Sequence, residues 1–203
     1  MDQVVQKVLK NLEKRKIKAK YFETKEEARQ AILKEIQPDA TVGIGGSMSV
    51  KELSLHEDLM KAGNTVYWHW LVEPSQMSDT RRNAATVDIY LSGTNAITED
   101  GELINIDGVG NRVATMFYGP KKTIVLCGIN KICPDLISAI DRIKKVACVK
   151  NARRLNRKTP CSITGECNDC QSEDRMCNIT TIISGKPTEL DLNVYIVGEE
   201  LGF

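Results

Sequence analysis

TVGIGGSMSVKEL, residues 41–53, is the stretch that decides the fold. Residues 41–44 read as a short buried strand. Gly45, Gly46 and Ser47 follow as a tight turn, and Ser49 with Glu52 makes a capping box that opens a helix through about Lys61. Strand, glycine turn and helix in that order point backbone N–H groups and a helix N-terminus at an anion. Gly46, Ser47 and Met48 would offer those N–H groups, with the Ser47 hydroxyl as an extra donor. The same glycines also serve a sharp turn that binds nothing.

Upstream, Val4, Val5, Val8, Leu9 and Leu12 recur at helical spacing, with Lys7, Lys10, Lys14, Arg15 and Lys16 on a solvated opposite face. A second helix starts at the capping box Thr24–Glu27, buries Ala28, Ala31, Ile32 and Ile36, and ends before Pro38. Residues 1–37 are thus expected to be helical. Downstream, residues 65–71 and 87–91 read as strands around a helix at 76–85. Residues 96–98 and 102–106 are two strands joined by Glu99-Asp100-Gly101, a hairpin signal. Asp107-Gly108 and Gly110 form a second glycine turn before a helix at 112–117. Residues 123–127 are a central strand, and Pro134 begins a helix with the stripe Leu136, Ile140, Ile143 and Ala147. Residues 179–183 and 194–197 are late strands. The alternation predicts one α/β domain: a three-layer sandwich with a mainly parallel sheet and a hairpin insertion.

The chain has 203 residues, 41% of them hydrophobic and 27% charged, and a formal net charge of +1. Such a balance gives no reason to expect nucleic acid or an anionic membrane as partner. No apolar run approaches the roughly 20 residues of a membrane span. The first residues lack the apolar centre of a signal peptide, so the expected compartment is the reducing cytoplasm, where structural disulfides are rare.

Seven cysteines therefore need another account. Cys161, Cys167, Cys170 and Cys177 lie in TPCSITGECNDCQSEDRMCNIT, spaced C-x5-C-x2-C-x6-C; they form a cysteine-rich loop at residues 159–178 within a polar break at residues 151–178. Four thiolates suit either an iron–sulfur cluster or tetrahedral zinc. Structural zinc commonly uses two close pairs, whereas here one close pair is flanked by two single cysteines. Gly165, Asn168 and Asp169 let the backbone wrap a compact object. This reading favours [4Fe–4S], with zinc as the alternative and an empty loop as the third possibility. Cys127 reads as a core residue, Cys133 as part of a turn before Pro134, and Cys148 as a packed thiol near Lys144, Lys145 and Lys150.

Of the remaining polar candidates, Glu99 has the least need to be in its turn and is a candidate nucleophile or general base. Arg112, at a helix start after Asn111, either clamps an anion or pairs with Asp107. His56 reads as structural. In YWHW, Tyr67 and His69 share one strand face and Trp68 and Trp70 the other.

GIGGSMS and RRNAATVDIYLSGTNAITEDGELINIDGVGNRVATMFYGPKKTIVLCGINKI, with the closing VYIVGEELGF, resemble the lactate-utilisation (LUD) domain family. The resemblance runs from about Thr41 to the end, and NAITEDG and DGVGNRV are its most specific parts. The TPC…C…C…CNIT segment resembles the family's short, stand-alone bacterial branch. The resemblance implies the fold of CoA transferases and ribose-phosphate isomerases. It also implies a link to oxidation of lactate and similar acids, alongside iron–sulfur proteins in a cytoplasmic complex. Ligands of that superfamily sit where glycine turns meet the carboxyl edge of the sheet. That places Gly45, Gly46, Ser47, Asn95, Gly108, Gly110, Asn111 and Arg112 around a small organic acid or a phosphate-containing, nucleotide-like ligand. Some CoA transferases use a glutamate nucleophile beside a glycine turn, for which Glu99 is the nearest counterpart. No flavin or nicotinamide fingerprint is present, so iron–sulfur or flavin proteins are the expected redox partners, and a homo-oligomer is compatible with the sequence.

Overall fold

The computed structural model describes residues 2–203. Its centre is a six-stranded sheet in the order β1 (Lys18–Phe22), β10 (Asp191–Val197), β7 (Lys122–Gly128), β4 (Ile89–Gly93), β2 (Thr41–Ile44) and β3 (Thr65–Trp68). Every pairing in it is parallel. The middle strands are apolar on both faces, as a sheet covered on both sides requires. In β7, Ile124 and Leu126 face one side while Val125 and Cys127 face the other. The first side packs on α2 (Lys25–Glu35), α3 (Met48–Glu52) and α4 (Leu55–Lys61) through Ala28, Ile32, Val50, Leu55 and Leu59. The second side packs on α1 (Gln3–Lys14) through Val5, Val8 and Leu12, and on Met116 of α6 (Asn111–Phe117).

The hairpin of β5 (Ala96–Thr98) and β6 (Leu103–Asp107) is present and antiparallel. It does not stand alone. β8 (Ile132–Cys133) and β9 (Ile179–Ile183) pair with its two edges, giving a second sheet in the order β8-β5-β6-β9. An isolated hairpin would leave two rows of unpaired backbone groups, and these two short strands satisfy them. One face of this sheet joins the second core through Ile97, Leu103 and Ile183. Its other face packs on α7 (Leu136–Arg142), a π-helical turn (Ile143–Ala147) and α8 (Cys148–Arg154).

Three local expectations change. Residues 1–37 are not all helical, because β1 lies between α1 and α2 as an edge strand beside β10. Its exposed Lys18 and Lys20 suit an edge and mask the alternation of Ala19 and Tyr21. The helix after the first glycine turn is capped by Ser47, whose hydroxyl accepts from the Val50 N–H, and not by Ser49. That helix is only five residues long and breaks at Ser54, which is left-handed with φ 46°. Thr24 does cap α2, accepting from Glu27 N–H, but the Glu27 carboxylate reaches back to Glu23 N–H instead of to Thr24.

A polar clasp ties α2 to the main sheet. Glu35 of α2 accepts from Lys122 of β7, Tyr195 of β10 and Lys20 of β1. Burial pushes its carboxyl up, but these hydrogen bonds outweigh burial and hold it down at about 2. A folded value below the unfolded one gives stability that is present above about pH 4.5 and lost as pH falls toward 2. Glu35→Gln should therefore lower stability at neutral pH and flatten the acid limb between those values. Urea unfolding at a series of pH values measures this, and parallel acid limbs for both proteins would contradict it.

Candidate functional site

The carboxyl ends of the main strands open onto one cleft of about 520 Å3. Gly46, Ser47 and Met48 come from the end of β2, His69 and Trp70 from β3, Gly93 to Asn95 from β4, and Lys131 from β7. β6 and the second glycine turn add Ile106 to Val109, with Asn111 and Arg112 from α6. α8 closes one side with Cys148, Asn151 and Arg154. A crevice outside the carboxyl ends of parallel strands is where open α/β sheets hold ligands.

Six of the residues singled out from sequence meet here: Gly46, Ser47, Asn95, Gly108, Asn111 and Arg112. Gly45 and Gly110 do not line the cleft but shape it. A Cβ on Gly45 would come within 2.7 Å of Tyr90 Oη and 3.0 Å of Arg112 Cγ, so glycine lets Arg112 cross the end of β2. Gly110 has φ 95° at the start of α6, where a Cβ would meet Ile179 at 2.7 Å.

Arg112 is a tie between the two sheets. Its Nε donates to Asp107 at 2.9 Å. Nη1 donates to Asn105 Oδ1 at 2.6 Å and to the Gly93 carbonyl at 3.3 Å. Nη2 donates to Asn95 Oδ1 at 3.2 Å and to the Ile106 carbonyl at 3.0 Å. A guanidinium has five N–H donors, and all five are engaged. Of the two sequence readings, pairing with Asp107 holds, and Arg112 has no donor left for a ligand.

Glu99 is not among the residues that line the cleft. It sits in the β5–β6 turn, paired to Lys7 of α1 at 2.8 Å, while its carbonyl accepts from Asn11.

The positive charge of the cleft comes from side chains that the sequence reading did not single out. Lys131 is 3% exposed, donates to Ser49 Oγ at 2.7 Å, and has no carboxylate within ion-pair distance among the described residues. Burial pulls its ammonium down to about 8. Arg154 packs over the Trp70 ring at 4.7 Å and donates to Asn151. The Arg81 Nε is buried with no hydrogen-bond partner among the described residues. Burial, then Arg81 and Arg154, lower His69 to about 4, so it is neutral at pH 7. β3 ends at Trp68, so the alternation expected for YWHW stops there and both His69 and Trp70 face the cleft.

Behind α8 lies a small cavity of about 20 Å3. Cys161, Cys167, Cys170 and Cys177 all line it, and a fifth thiol, Cys148, joins them. The cysteine segment starts with α9 (Pro160–Thr164), whose Cys161 packs on Val149 and Ala152 of α8. Arg175 ties the loop by donating to Asp169 and to the carbonyls of Cys170 and Cys177. A hydrogen bond from Cys148 lowers Cys177, with help from Arg175 and Lys144, and raises Cys148 in turn. All seven cysteines are free thiols. No three of the His, Cys, Asp or Glu side chains described are arranged to grip a metal ion as they stand. The donor set nonetheless fits a soft metal: four thiols around one cavity, one of them biased toward the thiolate. Cys148 and Met176 line both the cleft and this cavity, so the two share a wall.

The fold and these two cavities define an α/β sandwich with a basic cleft at the carboxyl edge of its sheet and a cysteine-walled cavity behind it. A profile of the LUD domain matches residues 5–197, and the chain belongs to the LUD domain family. A crystal structure of a DUF162 family protein from Deinococcus radiodurans is similar in fold, with a TM-score of 0.55 at 13% identity over 97% of each chain. Comparison with curated proteins gives no match. No helix among the described residues is long and apolar enough to cross a membrane.

Proposed function

We propose that this LUD-domain protein takes part in the oxidation of lactate or a similar small hydroxy acid, and that Cys161, Cys167, Cys170 and Cys177 hold a [4Fe–4S] cluster. The observation that carries this reading is the wall of Cys148 and Met176 shared by the basic cleft and the cysteine cavity. A shared wall would let a metal held by the thiols sit next to an anion held in the cleft, which supports the reading. Such a cluster supplies one-electron transfer and no more. The chain's own residues do the rest. Lys131 is a buried cation without a counter-ion among the described residues, suited to a carboxylate. Arg112 is saturated and only holds Asn95 and Asp107 in place. Hydride chemistry would fall to a flavin partner protein, and iron–sulfur partners would carry single electrons.

A single ion fills a cavity of about 20 Å3 more readily than a four-iron cluster does, which favours tetrahedral zinc as a second reading. In that case the loop is structural and the cleft alone carries the function.

Titrating L- and D-lactate into anaerobically purified protein tests the acid site. One enantiomer should bind by calorimetry, and Lys131→Met should weaken it at least tenfold. No binding of either at millimolar concentration would contradict the acid assignment.

A further inference from the structure

Resting on the reading of the cleft as the acid site, we propose that the cleft also binds a second ligand, an organic phosphate of nucleotide size, on Arg81 and Arg154.

The cleft is too large for the acid alone. A volume of about 520 Å3 lies in the range that accommodates drug-sized molecules, whereas lactate has only six heavy atoms. Its charge is also more than one carboxylate requires. Among the described residues, its lining side chains carry Arg81, Arg112, Lys131, Arg154 and Arg157 against a single side-chain carboxylate, Asp107. Asp107 is taken by Arg112, and Arg157 pairs with Asp174 at 3.6 Å. Lys131, Arg81 and Arg154 remain without an ion pair.

These three fall into two groups. Lys131 rises from the end of β7 beside Ser49 and Gly202, deep in the cleft. Arg81, on α5 (Met77–Asn83), and Arg154, at the end of α8, converge on the His69–Trp70 wall. A single ammonium suits a monoanionic carboxylate. Two guanidiniums without an ion pair among the described residues suit the doubly charged oxygens of a phosphate: Arg81, and Arg154, which gives Nε and one Nη2 hydrogen to Asn151 and keeps Nη1 for a ligand. Arg81 keeps a buried Nε–H without an acceptor, which a phosphate oxygen would supply. His69, neutral at pH 7, adds no third positive charge to that wall.

The rim suits an organic body in addition to the phosphate. Val109 is 67% exposed and Leu155 41% exposed, and both line the cleft, with Met77 and Met48 further in. Apolar side chains held open around unpaired arginines fit an amphiphilic ligand better than inorganic phosphate.

The probe is ADP, with pyrophosphate and adenosine as its two halves, each titrated calorimetrically into the full chain with and without lactate. ADP should bind at least tenfold more tightly than either half. Arg81→Gln with Arg154→Gln should weaken ADP at least tenfold, while Arg81→Lys with Arg154→Lys keeps part of the affinity. The glutamine pair should leave any lactate binding within twofold, and Lys131→Met should leave ADP within threefold. Lys10→Gln with Lys14→Gln, on the exposed basic face of α1, should leave ADP unchanged. The proposal is overturned if ADP does not bind at millimolar concentration, if pyrophosphate binds as well as ADP, if the arginine pair is without effect, or if the α1 pair weakens ADP equally. A chain that binds ADP but no lactate would sink the acid assignment and leave this site standing.

Discussion

Replacing Arg112 by methionine should cost roughly 3–5 kcal/mol of folding stability, the range for breaking a buried ion pair by removing one partner. For a chain of this size each kcal/mol lowers Tm by roughly 2–4 °C, so the melting point should fall by roughly 6–20 °C. The cost is large because the groups left behind cannot reach water. Asn105 is fully buried, Asp107 and Arg112 side chains are each 10% exposed, and the Gly93 and Ile106 carbonyls lose a donor. The tie also spans separate units, the end of β4 in the main sheet and β6 in the small one. Its loss should therefore loosen the second glycine turn that forms one side of the cleft. Arg112→Lys keeps the charge but cannot fork, and should recover only a small part of the loss. Thermal melts of both variants measure this. A fall of less than about 1 kcal/mol in Arg112→Met would mean that the five hydrogen bonds do not hold the sheets together.

The second large effect concerns metal. Each of Cys161→Ser, Cys167→Ser, Cys170→Ser and Cys177→Ser should lose most of the metal from the purified protein, because a serine oxygen is a poor ligand for a site built for thiolates. Cys148→Ser should keep it. Cys148 is the fifth thiol of the cavity and lies beside Cys177, whose thiolate it favours, so it would support the ligand set from outside it. Metal content that survives in any of the first four variants would remove that cysteine from the ligand set. Loss in Cys148→Ser alone would place Cys148 in it.

Much of the frame was legible because the strands advertise themselves. Residues 124–127, apolar throughout, read as a buried central strand, and β7 is one of the two middle strands of the sheet. The first glycine turn was legible as an anion site from strand-turn-helix order, and the second joined it only through the family resemblance. What the turns do there was not. The helix after Ser47 is too short to present a strong dipole, and the Ser47 hydroxyl is spent as a cap, so the charge of the cleft is carried by Lys131, Arg81 and Arg154. Lys131 gave a usable signal, lying three residues past the end of the central strand. Arg81 and Arg154 gave none, because they reach the cleft from α5 and α8, whose placement depends on tertiary packing. β1 was missed because edge strands carry lysines that read as solvated chain. The four cysteines were legible as a group from their spacing, whereas the fifth, Cys148, joins them only when α8 packs against the loop.

Iron, acid-labile sulfide and zinc content of protein purified without oxygen, with the visible spectrum before and after dithionite, tests the account most directly. About four irons and four sulfides per chain, with a brown absorbance that bleaches on reduction, is the predicted result. About one zinc per chain, no sulfide and no visible colour would contradict it and leave the cysteine loop as a structural knuckle beside an anion-binding cleft.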